Sequence, residues 1–356
     1  MNTYNFYAGP ALLPKTVYEE ASQAVLDYEG TGLSVLSISH RSNEFSDIID
    51  EAKALTRELL AVPENYDVLF LHGGASSQFF MTAMNLLSQN ETAGFVDTGN
   101  WSKKAIEEAQ MLGDIKVIAS SGDQNYTYIP KDYAIDESLK YLHITSNNTV
   151  RGTQFFDLPQ TSVKVVADMS SDIFSRPVSI DRYGLIYAGA QKNLGPSGTT
   201  LVIVDKDWLG TSKPNLPNML RYASHIDKGS LYNTPCTFSI YVSMLTLRWV
   251  KSQGGVSQLD QTNRQKASLL YDAIDQSALF DGTVKTEDRS LMNVNFVIKN
   301  KELETEFLKS CQDAGCIGVK GHRSVGGFRA SIYNAMELSG VNTLIEVIKD
   351  FDKIKA

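Results

Sequence analysis

No apolar run in the 356 residues approaches the roughly 18 that a membrane-spanning helix needs, so no span is expected. Cysteine is scarce. Cys236, Cys311 and Cys316 make an odd number without CxxC or Cys/His metal spacing, which argues against a disulfide framework and a metal site and suits reduced thiols in the cytoplasm. Positive charge is in deficit: the net charge of −8 disfavours a general nucleic-acid or acidic-membrane surface. Any anion site must then be a local basic cluster in an acidic body. Neither GxGxxG nor a Walker A box occurs, and no repeat or low-complexity tract is visible. The opening Met1-Asn2-Thr3-Tyr4-Asn5-Phe6 lacks a basic region and a long apolar core, so no secretory signal is expected.

What is present is globular: 42% hydrophobic and 21% charged residues, in a chain long enough for one large domain and a smaller one. From about residue 66 to 205, strand-like runs alternate with helical patterns. Strands are expected at 66–71, 93–97, 115–119, 141–145, 164–167, 184–188 and 199–204, and helices at 76–87 and 102–112. Such alternation argues a mostly parallel α/β sheet with helices on both faces. Helical stretches at 15–28 and 43–60 precede it, separated by a loop from Gly30 to Arg41. A proline-rich connection, Lys213-Pro214-Asn215-Leu216-Pro217, leads to a helical region at 237–277 interrupted at Gly254-Gly255. A strand at 293–298, a helix at 302–314, a Gly/Arg-rich segment at 318–331 and a helix at 341–354 follow. They read as a small C-terminal α+β domain beginning near residue 260.

The densest chemistry lies in Tyr187-Ala188-Gly189-Ala190-Gln191-Lys192-Asn193, where an apolar strand runs into a lysine and a Gly/Pro turn. An amine walled by backbone and small residues is poorly solvated, and desolvation lowers its pKa and frees its lone pair for carbonyl chemistry. A solvated lysine at a strand end is the plain alternative. Asp168 ends the apolar run Val163-Lys164-Val165-Val166-Ala167 and would share the strand-end edge where open α/β sheets bind ligands. A carboxylate there holds a heteroaromatic nitrogen protonated, or it caps the turn Met169-Ser170-Ser171. His72-Gly73-Gly74-Ala75-Ser76-Ser77 opens a helix after a strand, as a phosphate cup or a simple N-cap. In Asn233-Thr234-Pro235, Thr234 is expected at an N-cap and Pro235 at N1. Trp101, in a loop after the strand ending at Asp97, could stack on a planar cofactor or seal the core edge. Thr149 offers a hydroxyl at another strand end. Two His-Arg doublets, His40-Arg41 and His322-Arg323, lie in Gly/Ser-rich loops, and Arg329 follows the second. Arginine forks bind carboxylate and phosphate, so the set reads as recognition of a multiply anionic substrate or as surface ion pairs.

Together these blocks resemble the fold-type I, class V pyridoxal-phosphate aminotransferases, over essentially the full length. The resemblance rests on Phe6-Tyr7-Ala8-Gly9-Pro10-Ala11, Ser39-His40-Arg41-Ser42, the Gly73-Gly74 cup, the Lys192 segment, Asn233-Thr234-Pro235, Gly321-His322-Arg323 and Gly327-Phe328-Arg329-Ala330-Ser331-Ile332-Tyr333-Asn334-Ala335. It implies a large cofactor domain at 15–260 and a small domain formed by 1–14 with 261–356. It implies that Lys192 carries the cofactor as a Schiff base and shuttles a proton, that Asp168 pairs with the ring nitrogen, that Trp101 stacks on the ring and that Thr149 contacts the ring-oxygen region. Ala75, Ser76 and Gln191 would hold the cofactor phosphate, joined by Asn233 and Thr234 from the second subunit of a homodimer. His40, Arg41, His322 and Arg323 would bind the distal anion of substrate, and Arg329 the α-carboxylate. The implied reaction is reversible transamination of 3-phosphonooxypyruvate with L-glutamate, giving O-phospho-L-serine and 2-oxoglutarate, with a phosphorylated four-carbon analogue of pyridoxine synthesis as a further substrate. Some members carry Arg where Ser76 stands, which leaves the phosphate contacts near that loop open. A cysteine desulfurase is disfavoured, because Gln191 stands where those enzymes place His and no cysteine sits in a suitable loop. A non-catalytic phosphate binder would explain the cup but not Lys192, Asp168 and the doublets together.

Overall fold

The computed structural model describes residues 3–210 and 215–355, so Lys213 and Pro214 of the proline-rich connection lie outside the described residues. The chain opens with β1 (Tyr4–Asn5), α1 (Lys15–Leu26) and α2 (Asn43–Leu60). The alternating region follows as β2 (Tyr66–Leu71), α3 (Gly74–Leu86), β3 (Thr92–Asp97), α4 (Asn100–Gln110), β4 (Asp114–Ser120), β5 (Leu142–Thr145), β6 (Val165–Asp168), β7 (Tyr183–Gly189) and β8 (Thr200–Asp205). Next come α5 (Lys206–Leu209), α6 (Tyr222–Asp227), α7 (Thr237–Ser252) and α8 (Gly255–Asp275). The rest holds β9 (Phe280–Gly282), β10 (Asn293–Ile298), α9 (Glu304–Asp313), β11 (Cys316–Ile317), β12 (Phe328–Ser331) and α10 (Leu338–Lys355). No helix among the described residues is long and apolar enough to cross a membrane.

Among the described residues, seven strands form one sheet in the order β2-β8-β7-β6-β5-β3-β4. Neighbours from β7 through β4 pair in parallel, while β8 runs antiparallel to both β7 and β2, so six strands share one direction. Alternate residues of a strand face opposite sides of the sheet. Accordingly Val68 and Phe70 of β2, Ile186 and Ala188 of β7, and Leu201 and Ile203 of β8 join the core under α1, α2 and α7. Their neighbours Leu69, Leu71, Leu185, Tyr187, Val202 and Val204 join the core under α3 and α4. Burial on both faces explains why these strands read as continuous apolar runs.

A second core gathers Phe6 with Phe280, Phe296, Phe307, Phe328 and Phe351 around the antiparallel sheet β12-β10-β9. The amino-terminal β1 pairs in parallel with β11 and so belongs to this body. Helix α8 serves both cores: Val256 and Leu259 pack into the first, and Ala267, Leu270 and Ile274 into the second.

Three placements differ from expectation. Trp101 is in the first turn of α4 rather than a loop, because Ser102 Oγ accepts from the backbone N–H of Thr98 and Gly99 at 2.9 Å each and starts the helix early. Thr234 and Pro235 are not the N-cap and N1 of α7. The helix starts at Thr237, and the Thr234 carbonyl instead meets the His72 ring at 3.1 Å. Arg329 lies on a strand within the Gly/Arg-rich segment, for which no strand was expected: Gly326 and Gly327, both at positive φ, turn the chain so that β12 pairs with β10, Arg329 opposite Asn295.

Candidate active site

The shared strand direction brings the C-terminal ends of β2, β3, β5, β6 and β7 to one edge of the sheet. There the chain presents the cup, Trp101, Thr149, Asp168 and Lys192 from five separate segments at or just past those strand ends. Lys192 is buried, and its Nζ donates to Thr149 Oγ1 at 2.6 Å and lies 5.9 Å from the centre of the Trp101 rings. Burial pushes its ammonium down to about 8, and Arg329 adds to the depression, while Asp168 and Asp172 oppose it. The segment Phe6-Tyr7-Ala8-Gly9-Pro10-Ala11 closes over this lysine. A Cβ on Gly9 would stand 3.4 Å from Lys192 Cγ, and Ala11 N–H donates to the Gln191 carbonyl at 2.8 Å.

Asp168 is buried, with Oδ1 accepting from Ser170 N–H at 2.9 Å and Ser170 Oγ–H at 2.6 Å. Oδ1 caps the turn, the plainer of the two expectations, and Oδ2 has no hydrogen-bond partner among the described residues. Burial raises the Asp168 pKa, opposed by Lys192 and the Ser170 donors. Trp101 Nε1 and Arg329 Nε are buried without hydrogen-bond partners among the described residues. Arg329 reaches the site from the second body, donating to the Thr149 carbonyl at 3.4 Å.

At the end of β2, Gly73 (φ 87°) and Gly74 (φ 66°) start α3, and a Cβ on Gly73 would overlap Ser77 Oγ. Ala75, Ser76 and Ser77 occupy the first turn of this 13-residue helix, with no acidic side chain there, an arrangement suited to an anion. Asn233 Nδ2 stands 3.3 Å from His72 Nε2 of the same chain, which puts the 233–234 segment beside the cup's first residue. His40 and Arg41 lie in the loop before α2, Arg41 exposed, and neither forms a hydrogen bond or ion pair with the Lys192 group among the described residues.

His322 lies in the loop between β11 and β12 and bonds Ser324 Oγ at 2.7 Å. Its pKa is lowered by burial and then by Arg329, Arg323, Arg151 and Lys104. Arg151 and Lys104 were missed in the sequence. Arg151 donates to Asn100 Oδ1 at 3.3 Å, and Lys104 Nζ sits 5.0 Å from the centre of the Trp101 rings. Spacing was a usable signal for both: Arg151 is two residues past Thr149, and Lys104 is one helical turn past Trp101. Asp172 was also missed. Fully buried four residues after Asp168, it accepts from Ser146 Oγ–H and pairs with Arg176 at 3.4 Å. The sulfur alternative finds little support: Cys311 and Cys316 are buried, and burial raises the thiol pKa of half-buried Cys236.

Residues 3–344 match the family described as Aminotransferase class-V. The chain is 52% identical to a phosphoserine aminotransferase of Parabacteroides distasonis, over 99% of each chain. A solved phosphoserine aminotransferase from Bacillus circulans subsp. alkalophilus superposes with a TM-score of 0.97 at 46% identity, covering 100% of this chain and 99% of that one. A PLP-bound phosphoserine aminotransferase from Trichomonas vaginalis superposes at 0.93 with 34% identity, covering 98% of this chain and 100% of that one. The chain belongs to the class-V aminotransferase family.

Proposed function

We propose that this chain catalyses reversible transamination of 3-phosphonooxypyruvate with L-glutamate, giving O-phospho-L-serine and 2-oxoglutarate, as a pyridoxal-phosphate enzyme of serine biosynthesis. The observation that carries the chemistry is a buried lysine held near pKa 8, bonded to Thr149 and flanked by a buried carboxylate with a free oxygen. The relatives' names carry the substrate.

The residues fit the cofactor. Lys192 would hold its aldehyde carbon, Asp168 Oδ2 its ring N–H, Trp101 the ring face and Thr149 the ring-oxygen side. Ala75, Ser76 and Gln191 would hold the phosphate at the start of α3. When bound, pyridoxal phosphate supplies the electron sink that lets an amino group leave one carbon skeleton and enter another. The protein's own part is proton management and orientation. At pKa about 8 roughly a tenth of the Lys192 amine is unprotonated at pH 7, and that form of Nζ can take the proton from the substrate Cα and return it. Arg329, half-buried, with an unpartnered Nε, would clamp the α-carboxylate and fix that Cα against Nζ.

His322 and Arg323, with His40 and Arg41, would accept the distal anion, which is a γ-carboxylate in glutamate and a phosphate in phosphoserine. Asn233 and Thr234 would complete the cofactor-phosphate site from a second subunit of a homodimer. The division into 15–260 and 1–14 with 261–356 is supported by two separate cores that meet along α8. Three free cysteines are in keeping with a reducing, cytoplasmic setting. A coupled assay of glutamate formation from phosphoserine and 2-oxoglutarate tests the function. Comparable rates with aspartate or alanine as donor would remove the phosphate-specific claim, and unchanged rates in Arg41→Ala would remove Arg41 from the site.

A further inference from the structure

Lys266, on α8, is fully buried and forms no ion pair among the described residues. Its Nζ donates to the carbonyls of Ile332 at 3.1 Å, Tyr333 at 2.8 Å and Met336 at 3.0 Å. An ammonium has three N–H donors, and here all three are spent on one five-residue turn. Three carbonyl oxygens converging in the interior would repel one another without a cation, and burying that cation has its own cost, as burial pushes Lys266 down to about 7. Arranging so costly a contact at the junction of β12 and α10 calls for a reason beyond filling space.

The turn it grips touches the active site on two sides. Asn334 N–H donates to Asn193 Oδ1 at 3.1 Å, next in sequence to Lys192, and Asn334 Nδ2 donates to the Phe174 carbonyl at 2.9 Å. Tyr333 Oη donates to the Ala8 carbonyl at 2.8 Å, in the segment that closes over Lys192, and accepts from Asn293 Nδ2 at 3.2 Å. Its phenol also lies beside Arg329 and Thr149. Asn263, one helical turn before Lys266 on α8, joins the two bodies at the same place, donating to the Ser175 carbonyl at 3.1 Å and to Asn334 Oδ1 at 2.8 Å.

We propose that Lys266 is a positioning residue of the transamination site: its ammonium locks the 332–336 turn and, through Tyr333 and Asn334, sets Arg329 against Lys192. This rests on the site reading above. A displacement of about 1 Å at a reacting centre can cost on the order of a hundredfold in rate. Lys266→Met, normalised to sites carrying cofactor, is expected to raise the KM for phosphoserine and lower kcat/KM by at least about tenfold. Asn334→Ala breaks the same path further along, so the double variant should lose no more than the worse single one. Hydrogen exchange adds a readout independent of turnover: in the apoprotein, Lys266→Met should speed exchange in the 190–198 segment as well as in 330–337. Lys266→Gln, which keeps N–H donors on a shorter stem, provides the same comparisons if the Met variant does not fold.

Wild-type kcat and KM in the variants with only a lower Tm, additive losses in the double variant, or faster exchange confined to 330–337 would each overturn the proposal. A wild-type protein with no transaminase activity would overturn the site reading instead.

Discussion

Replacing Thr149 by Val tests whether the acid–base character of Lys192 is set by its neighbours. The two side chains have nearly the same shape, so the main loss is the hydroxyl that accepts from Lys192 Nζ at 2.6 Å. Hydrogen bonds to charged groups contribute about 1.5–3 kcal/mol, and one pKa unit corresponds to about 1.4 kcal/mol. The neutral amine retains part of the bond, so the lower end applies and the pKa should fall by about one unit from about 8. At pH 7 the unprotonated fraction would then rise from roughly a tenth to about a half. The assay is the rate of pyridoxal phosphate capture by the apoprotein from pH 6 to 9, since capture needs the unprotonated amine. Thr149→Val should move the acid limb of that profile down by about one pH unit. An unmoved or upward-shifted limb would refute the idea that this hydroxyl supports the ammonium.

Arg329→Ala should lower kcat/KM for glutamate and phosphoserine alike by about a hundredfold, because truncating one partner of a buried charge pair costs about 2–5 kcal/mol; initial rates with both donors check it, and an effect on only one would dissociate Arg329 from the shared α-carboxylate. Phe307, fully buried among the phenylalanines of the second core, should cost about 3–5 kcal/mol of stability on truncation to Ala, read from urea denaturation. Burial holds His143 down to about 3, so the folded chain excludes a proton that the unfolded chain takes up below about 6.5. Stability then falls as pH drops from about 6.5 toward 3, and His143→Gln should flatten that fall. Thermal midpoints at pH 7 and 4.5 compare the two, with equal losses counting against the assignment.

Much of the site was legible because its residues follow strand ends, which hydrophobic runs mark clearly. Lys192 and Asp168 emerged that way, and so did the Gly73-Gly74 turn. Lys266 gave no such signal. It sits in a helical pattern as one polar residue among several, and nothing in α8 reveals that its amine meets carbonyls 66 to 70 residues later. Asp172 gave no local signal either, since its Ser146 donor comes from another loop, whereas the spacing of Arg151 from Thr149 was a signal left unused. Arg329 was read as an anion-ligand candidate, but its strand was not foreseen, because four residues of edge pairing are too few to show against flanking glycines.

By itself the sequence determined the order of elements from α1 through β8 and the lysine at the end of β7, because local periodicity and turn residues encode both. Tertiary structure alone decided which strands lie side by side, and hence that the segments at residues 72, 101, 149, 168 and 192 converge. It alone desolvated Lys192 and brought Arg329 across from a second core, because burial and charge proximity arise only from packing between segments distant in sequence.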